Sequence, residues 1–468
     1  MGGGQESRQD EDNTATVCGI LRQRFGDRFT TGESVRSQHC HTTTLISPQL
    51  PDGVVFPHSV EEVADVVLTC SKFRVPVIPF GTGTSLEGQV NAPLGGISVN
   101  LLRMNQVLRV NEEDLDCIVQ PGITRKALNE SIRDTGLFFA IDPGADASLG
   151  GMASTRASGT NAVRYGTMRD NVIAVQAVMP NGEIIRTAQR ARKTSAGYDL
   201  TRLLIGAEGT LGIITELTLR LHGIPESIAS ASCSFSNIFN ACAAVIDTIQ
   251  FGIPVARIEL LDELTVKAVN SHSGLTLPES PLLLLEFHGT EASVSEQSAA
   301  CGEIMRDHDG SEFQWTVKPE ERSKLWQARH DAYWASFELR RGAKGIATDV
   351  CVPISRLADC VSAAQEKAKS MGLIAPIVGH AGDGNFHMLP LIDPDDPEEV
   401  AAVCSFVEWL AEHAVDMDGT CTGEHGIGQG KMKYLERELG AAVGWMTAVK
   451  NAIDPLDIMN PGKIIPPA

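Results

Sequence analysis

Pro79-Phe-Gly-Thr-Gly-Thr-Ser-Leu-Glu-Gly88 follows the apolar run Val75-Pro-Val-Ile-Pro79 and carries almost no side-chain bulk from Gly81 to Ser85. A strand that runs into such a loop presents consecutive backbone N–H groups, and a concave row of N–H groups holds phosphate oxygens. No Gly-Lys-Ser/Thr follows, and the spacing Gly81, Gly83, Gly88 does not fit Gly-x-Gly-x-x-Gly. The stretch is therefore neither a P-loop nor a Rossmann fingerprint. A plain Gly-rich turn is the alternative. The favoured reading is a loop for a phosphate-bearing cofactor.

Around this loop, short strands alternate with helices. Val54-Val-Phe56 precedes the capping box Ser59-Val-Glu-Glu62, which opens a helix with Val60, Val63, Val66, Val67 and Cys70 on one face. Strands are predicted at Gly96–Asn100 and Cys117–Val119, and a helix from the Thr124 cap to Asp134 that Gly136 ends. Asp142 to Asn171 is rich in Gly, Ala, Ser and Thr, shows little periodicity, and is predicted to be a long binding loop. Val172–Met179, the turn Pro180-Asn-Gly182 and Glu183–Thr187 form a hairpin, and Leu204–Thr215 leads into a strand from Glu216 to Leu221.

At His222-Gly-Ile-Pro225 the pattern changes to longer helices between strands. Helices are expected at Ile238–Phe251, Pro319–Leu339, Ile354–Met371 and Pro397–Val415, with a buried strand at Leu282–Phe287. The expected organisation is an N-terminal segment 1–45, a cofactor domain 46–222, an α+β cap 223–415, and a helical segment 416–468 that completes the site.

Composition sets outer limits. A chain of 468 residues with 43% hydrophobic content supports two domains or more. A net charge of -20 argues against nucleic acid, which needs clustered Lys and Arg, but leaves room for a local Arg that serves a small anion. Eleven Cys with no Cys-x-x-Cys favour a reducing compartment without a disulfide framework. The polar, acidic start through Asn13 predicts disorder. It shows neither a secretory core nor an Arg-rich import pattern, and Glu6 breaks the myristoylation pattern. No run of about 18 apolar residues exists to span a membrane. The expected compartment is cytoplasmic, with mitochondrial as the alternative; a peripheral membrane contact and a homodimer are both compatible with the chain.

Two late motifs carry further chemistry: His380-Ala-Gly-Asp-Gly-Asn-Phe-His387 and Gly423-Glu-His-Gly426. Residues seven apart on an unbroken strand face opposite sides, but Gly382-Asp-Gly384 breaks the strand, so a turn can bring His380 and His387 together. With Glu424 they make two imidazoles and a carboxylate. Such a set leaves coordination positions for substrate, as catalytic metal sites do, and suits Zn, Mn or another divalent ion. Hydrogen-bonded core histidines are the alternative. His425 is read as a base beside the metal, or else as a fourth ligand.

The first half resembles the FAD-binding domain of the vanillyl-alcohol oxidase and p-cresol methylhydroxylase superfamily. The resemblance rests on the Gly81–Ser85 loop together with Pro143-Gly-Ala-Asp146, Gly150-Gly-Met-Ala-Ser154, Arg164-Tyr-Gly166 and Glu208-Gly-Thr-Leu-Gly212. It implies an α+β protein: a two-subdomain FAD-binding domain of the p-cresol methylhydroxylase type, an α+β cap, and a C-terminal segment returning to the flavin. It also implies that the pyrophosphate lies on Gly81, Thr82, Gly83, Thr84 and Ser85, flanked by Pro79, Leu86 and Gly88. Pro143, Gly144, Leu149, Gly150, Ser154, Gly159, Glu208, Gly212 and Ile213 would line the cofactor. Some members bind flavin covalently through a His in this loop; none is present, so the expected FAD is non-covalent.

The late motifs, with Asn460-Pro-Gly-Lys463, Trp326-Gln-Ala-Arg-His330 and Thr348-Asp-Val-Cys-Val-Pro353, extend the resemblance over nearly the whole chain. It is to FAD-linked D-2-hydroxyacid dehydrogenases, nearest the D-lactate branch with its cytochrome or quinone acceptors and next the glycolate oxidase catalytic subunit. This implies that Asn460 contacts the flavin and that Arg329 clamps the substrate carboxylate. It further implies that His425 removes the hydroxyl proton while hydride passes to flavin N5. Relatives that take a dicarboxylate carry a Lys just before the residue matching Asp349, where this chain has Ala347 and then Thr348. D-Lactate is thereby favoured over D-2-hydroxyglutarate, with glycolate a further alternative. The acceptor is expected to be cytochrome c, a quinone or an electron-transfer flavoprotein. His41-Thr-Thr-Thr44 departs from relatives, which have an acidic residue near the start. Rival readings are a redox-neutral flavoenzyme like alkyl-dihydroxyacetone-phosphate synthase, a metallohydrolase on His380, His387 and Glu424, and a non-catalytic flavin scaffold.

Overall fold

The computed structural model describes residues 3–40, 45–311 and 313–466. The chain divides into two units. One comprises 1–158, 167–223 and 424–468; the other comprises 159–166 and 224–423.

Among the described residues the first unit holds two larger sheets and the short pair Leu137–Phe138 with His222–Gly223. In one, Phe29–Thr30, Gly53–Val55, Ile97–Asn100 and Val77–Phe80 lie side by side, the last three parallel. Helix Val60–Phe73 starts where Ser59 Oγ accepts from Glu62 N, and it stops at Arg74 in a left-handed conformation. Its buried face, Val63, Val66, Val67 and Cys70, packs on this sheet. Strand Val77–Phe80 delivers the chain into the glycine loop.

The second sheet is antiparallel throughout, in the order Val107–Asn111, Asp116–Val119, Ile213–Arg220, Val172–Val178, Ile184–Arg186. The strand expected from Glu216 begins at Ile213, because Ile213 and Ile214 already pair with Val178 and Ala177. The C-terminal segment returns to this unit: Met459 bridges to Val77, and Asn460 N donates to Val77 O.

Two expectations need correction. Asp142–Asn171 is not an open loop: it contains the short helices Leu149–Thr155, Ala162–Tyr165 and Met168–Asn171. Leu149, Met152, Ala153 and Met168 bury into the core under the antiparallel sheet, and Thr167 with Asp170 forms a capping box. Tertiary burial holds helices whose own periodicity is weak. The start is also not disordered over its described part, where Gly3–Phe25 is helical. Val17, Leu21 and Phe25, spaced by four, anchor its end in the core of the first sheet. Met1, Gly2 and His41–Thr44 lie outside the described residues.

The second unit is built on a seven-stranded antiparallel sheet. Its order is Gln314–Thr316, Ser227–Ser234, Leu282–Gly289, Val255–Leu261, Ile377–His380, Asn385–Met388, Val350–Cys351. Alternation divides side chains between two faces. Leu283, Leu285, Phe287, Ile258 and Leu260 enter the large core with helices Ile238–Gln250 and Leu357–Ser370. Leu282, Leu284 and Leu261 pack on the other face with Trp326, from helix Pro319–Ser336. Residues 159–166 are tied to this unit: Arg164 donates to Pro254 O, Arg257 donates to Asn161 Oδ1, and Tyr165 OH pairs with His288 Nδ1. No helix among the described residues is long and apolar enough to cross a membrane, and the eleven cysteines form no disulfide.

Candidate functional site

In the first unit the glycine loop lies against Ser148, whose N–H donates to Thr82 Oγ1 (3.3 Å), and Thr82 Oγ1 contacts Thr84 Oγ1. A Cβ on Gly81 would overlap Ser148 Oγ, and Gly83, at φ +69°, has the Phe80 ring where a Cβ would go. Ser85 Oγ and Ser148 Oγ are buried and have no hydrogen-bond partner among the described residues. Buried hydroxyls are normally satisfied, so two of them beside a bare backbone loop fit a phosphate-bearing group. In the sequence Ser148 has no signal of its own beyond its position one residue before Leu149.

The other predicted cofactor residues fall into several roles. Leu149 and Ile213 send their side chains into the two cores of this unit. Gly150 N donates to Pro121 O, and a Cβ there would meet the Pro121 ring. Ser154 Oγ donates to Gly150 O. Gly212 lies close to Val178 O, and Pro79 packs against Gly209. Leu86, Pro143 and Gly144 are partly or fully exposed. Gly159 belongs to the second unit. Asn460 is 1% exposed and gives its amide to Gln89 O and Glu208 O, so it stitches the C-terminal turn to two other segments.

Glu208 acts on the His425 loop. One carboxylate oxygen accepts from Ile427 N (2.7 Å) and the other from Gly428 N (2.8 Å). Burial pushes its carboxyl up to about 7, against the lowering effect of those two N–H groups. Gly426, at φ +80°, has no Cβ to collide with the carboxylate. The segment Glu87–Asn91 holds the same loop from another side. Gln89 donates to His425 O (2.8 Å), Asn91 donates to Gln429 Oε1 (2.9 Å), and Glu87 O accepts from Gln429 N. Glu87 Oε1 lies 3.8 Å from His425 Nδ1 and 3.5 Å from Lys431 Nζ. Gly88, at φ +75°, sits beside the Gln429 side chain.

In the second unit, Ile377–His380 and Asn385–Met388 form a tight antiparallel hairpin, with Val378 opposite His387 and His380 opposite Asn385. Facing residues of such a pair share a side, so His380 and His387 emerge on one face, their ring centroids 5.5 Å apart. Gly384 makes the turn possible, since its φ is +76° and a Cβ would overlap the Val352 carbonyl oxygen. His380 Nδ1 pairs with Glu259 Oε1 (2.8 Å), and His387 Nδ1 with Thr348 O (3.0 Å). Both rings are thus anchored through Nδ1, which leaves Nε2 as the ligand atom. Glu424 follows directly on Gly423, the last residue of this unit. His380 and His387 belong to the second unit, and Glu424 opens the C-terminal part of the first.

Arg329 lies on helix Pro319–Ser336 three positions past Trp326, and so on the same sheet-facing side. It is not an exposed helix charge: its side chain is 14% accessible and its Nε donates to Glu259 Oε2 at 2.5 Å. Glu259 is fully buried. Burial alone would raise its carboxyl, but the neighbouring His380 and Arg329 hold it below the usual range. Asp349, also buried, accepts from Asn385 Nδ2 and Thr422 Oγ1 (both 2.8 Å).

The sequence matches two family descriptions. Residues 51–188 match "FAD binding domain", and residues 224–464 match "FAD linked oxidases, C-terminal domain". A probable mitochondrial D-lactate dehydrogenase of Danio rerio is 50% identical, over 98% of this chain and 94% of its own length. This chain belongs to the FAD-linked oxidase family. A mitochondrial D-lactate dehydrogenase (cytochrome) of Arabidopsis thaliana is 46% identical over 98% of this chain and 78% of its own length. Among solved structures, p-cresol methylhydroxylase with substrate bound has the same fold, with a TM-score of 0.81 at 16% identity over 97% of both chains.

Within this family setting, the residues that sequence reasoning missed are Glu259, Asp349, Glu87, Gln89 and Ser148. In the sequence Asp349 stands only as part of the Thr348–Pro353 motif, and Glu87 only as part of the glycine stretch. Glu259 sits in a strand that was not foreseen, and it carried no local signal.

Proposed function

We propose that this protein oxidises D-lactate to pyruvate with non-covalently held FAD, passing the electrons to cytochrome c in mitochondria. The observation that carries the reading is the pairing, through one buried carboxylate, of an Arg suited to a carboxylate with His380, which shares a face with His387, in a chain of the FAD-linked oxidase family. The names of the relatives from Danio rerio and Arabidopsis thaliana support the substrate and the compartment, and that of the latter supports the acceptor.

In this reading His380, His387 and Glu424 hold a divalent cation, Zn or Mn. When bound, FAD supplies a two-electron acceptor and the cation a Lewis acid for the C2 hydroxyl. Arg329 grips the substrate carboxylate. Its Nε edge is used by Glu259, so the two terminal nitrogens provide the fork that a carboxylate fits. His425 takes the proton from the C2 hydroxyl as the C2 hydride leaves, giving the 2-keto acid. Glu208, Gln89 and Asn91 keep the loop bearing His425 in place. Ala347, where dicarboxylate-using relatives have Lys, leaves a second carboxylate without a cation and favours a small monocarboxylate.

The test is anaerobic stopped-flow absorbance of the flavin band after mixing with D-lactate, L-lactate, glycolate or D-2-hydroxyglutarate, with and without EDTA pretreatment. Fast bleaching by D-lactate that EDTA abolishes is the expected result. Faster bleaching by another acid would overturn the substrate assignment, and EDTA-insensitive bleaching would overturn the metal role.

A further inference from the structure

We infer that Glu259 is a positioning residue that sets both the metal-binding form of His380 and the substrate-binding edge of Arg329. The inference rests on the reading of His380 as a metal ligand and Arg329 as the carboxylate clamp.

Glu259 lies on strand Val255–Leu261, whose alternate residues Ile258 and Leu260 enter the large core. Glu259 therefore points to the opposite face, as does Leu261, which packs with Trp326. There it is fully buried, with one oxygen 2.8 Å from His380 Nδ1 and the other 2.5 Å from Arg329 Nε. A buried carboxylate is tolerated only when its lone pairs are taken by charged or strongly polar donors. This one meets that condition with two residues whose opposite edges would do chemistry in the proposed reading. Accepting from Nδ1–H fixes the His380 tautomer that leaves the Nε2 lone pair for a metal. Accepting from Nε–H orients the guanidinium and commits its terminal nitrogens to the substrate.

Glutamine at this position has the same shape but only one acceptor. Its amide oxygen would satisfy the Arg329 cation, and its NH2 would then face His380 Nδ1. The imidazole would have to accept at Nδ1 and carry its proton on Nε2, the form that cannot bind a metal. Turning the amide over would instead set NH2 against Arg329 Nε–H. One orientation loses the metal-binding form of His380, and the other loses the bond to Arg329.

The experiment uses the flavin-loaded protein stripped of metal, titrated with Mn2+ alone while free Mn2+ is read by electron paramagnetic resonance. Flavin content and melting temperature check the fold. Glu259→Gln is expected to raise the Mn2+ dissociation constant about 10- to 100-fold, the usual effect of removing an outer-shell partner, and to raise KM for D-lactate with flavin content unchanged. Glu259→Asp keeps the charge and is expected to recover part of the affinity. Metal binding needs no turnover, so an incorrect substrate assignment would leave this result intact and show itself only in the bleaching assay. Wild-type Mn2+ affinity in folded Glu259→Gln overturns the inference. So does Glu259→Asp binding no better than Glu259→Gln, and absence of Mn2+ binding by the wild-type protein overturns the metal reading along with it.

Discussion

Removing the Glu208 carboxylate should disable flavin reduction without releasing the flavin. Glu208 accepts from Ile427 N and Gly428 N, and these two bonds fix the loop that begins at His425. In Glu208→Gln one oxygen remains, so one of the two N–H groups loses its acceptor and meets an NH2 instead. An unmade buried hydrogen bond costs about 1–3 kcal/mol, a shift of roughly 5- to 150-fold in the population of the ordered loop. Glu208→Ala removes both acceptors, for about 2–6 kcal/mol in all. The rate of anaerobic flavin bleaching by D-lactate should fall in the order wild type, Glu208→Gln, Glu208→Ala. The ratio of flavin to protein absorbance should stay constant. Gly426→Ala should act in the same direction, because its Cβ would press on the Glu208 carboxylate from a left-handed backbone. Either Glu208 variant, folded and flavin-loaded, that bleaches at the wild-type rate would refute the argument.

Other changes test other parts of the molecule. Arg329→Ala should raise KM for D-lactate about 10- to 150-fold, the worth of a charge-assisted pair at about 1.5–3 kcal/mol, with a smaller change in kcat; steady-state kinetics showing only a kcat effect would contradict the clamp. Gly83→Val places a β-branched residue at φ +69° against the Phe80 ring, so the purified protein should lose its flavin absorbance while still melting cooperatively. Asp262 caps helix Glu263–Ser273 through Thr265 N, is 1% exposed, and is pushed by burial from 3.8 up to about 7. A carboxyl raised in the folded state favours folding fully below about pH 4, and this contribution is lost as pH rises to about 7 and stays lost above it. A rise of that size corresponds to about 4 kcal/mol. Asp262→Asn keeps the cap acceptor without the titration, so wild type should lose about that much stability relative to the variant between pH 4 and pH 7. Parallel denaturation curves across that window would count against it.

Much of the local structure was legible in the sequence because it depends on neighbours in the chain. Ser59 and Thr124 announce helix starts by their caps, Pro180-Asn-Gly182 announces a hairpin, and Leu282–Phe287 announces a buried strand by continuous apolarity. The break at Gly382-Asp-Gly384 was enough to predict that His380 and His387 could meet, since parity on a strand is simple geometry. What sequence could not supply was any pairing over long separations. The three short helices between Leu149 and Asn171 exist because Leu149, Met152 and Met168 are buried by distant strands, and local periodicity carries no trace of that. Glu259 reads as one acid among many until strand order brings it, 70 residues from Arg329 and 121 from His380, into contact with both. Glu208 likewise meets Ile427 and Gly428 across 219 and 220 residues. The sequence by itself determined the locally coded elements and the reactive groups, because caps, turns and alternation act over a few residues. Only the tertiary structure decided which carboxylate holds which functional group, because a buried charge is stable only where the folded chain supplies its partners.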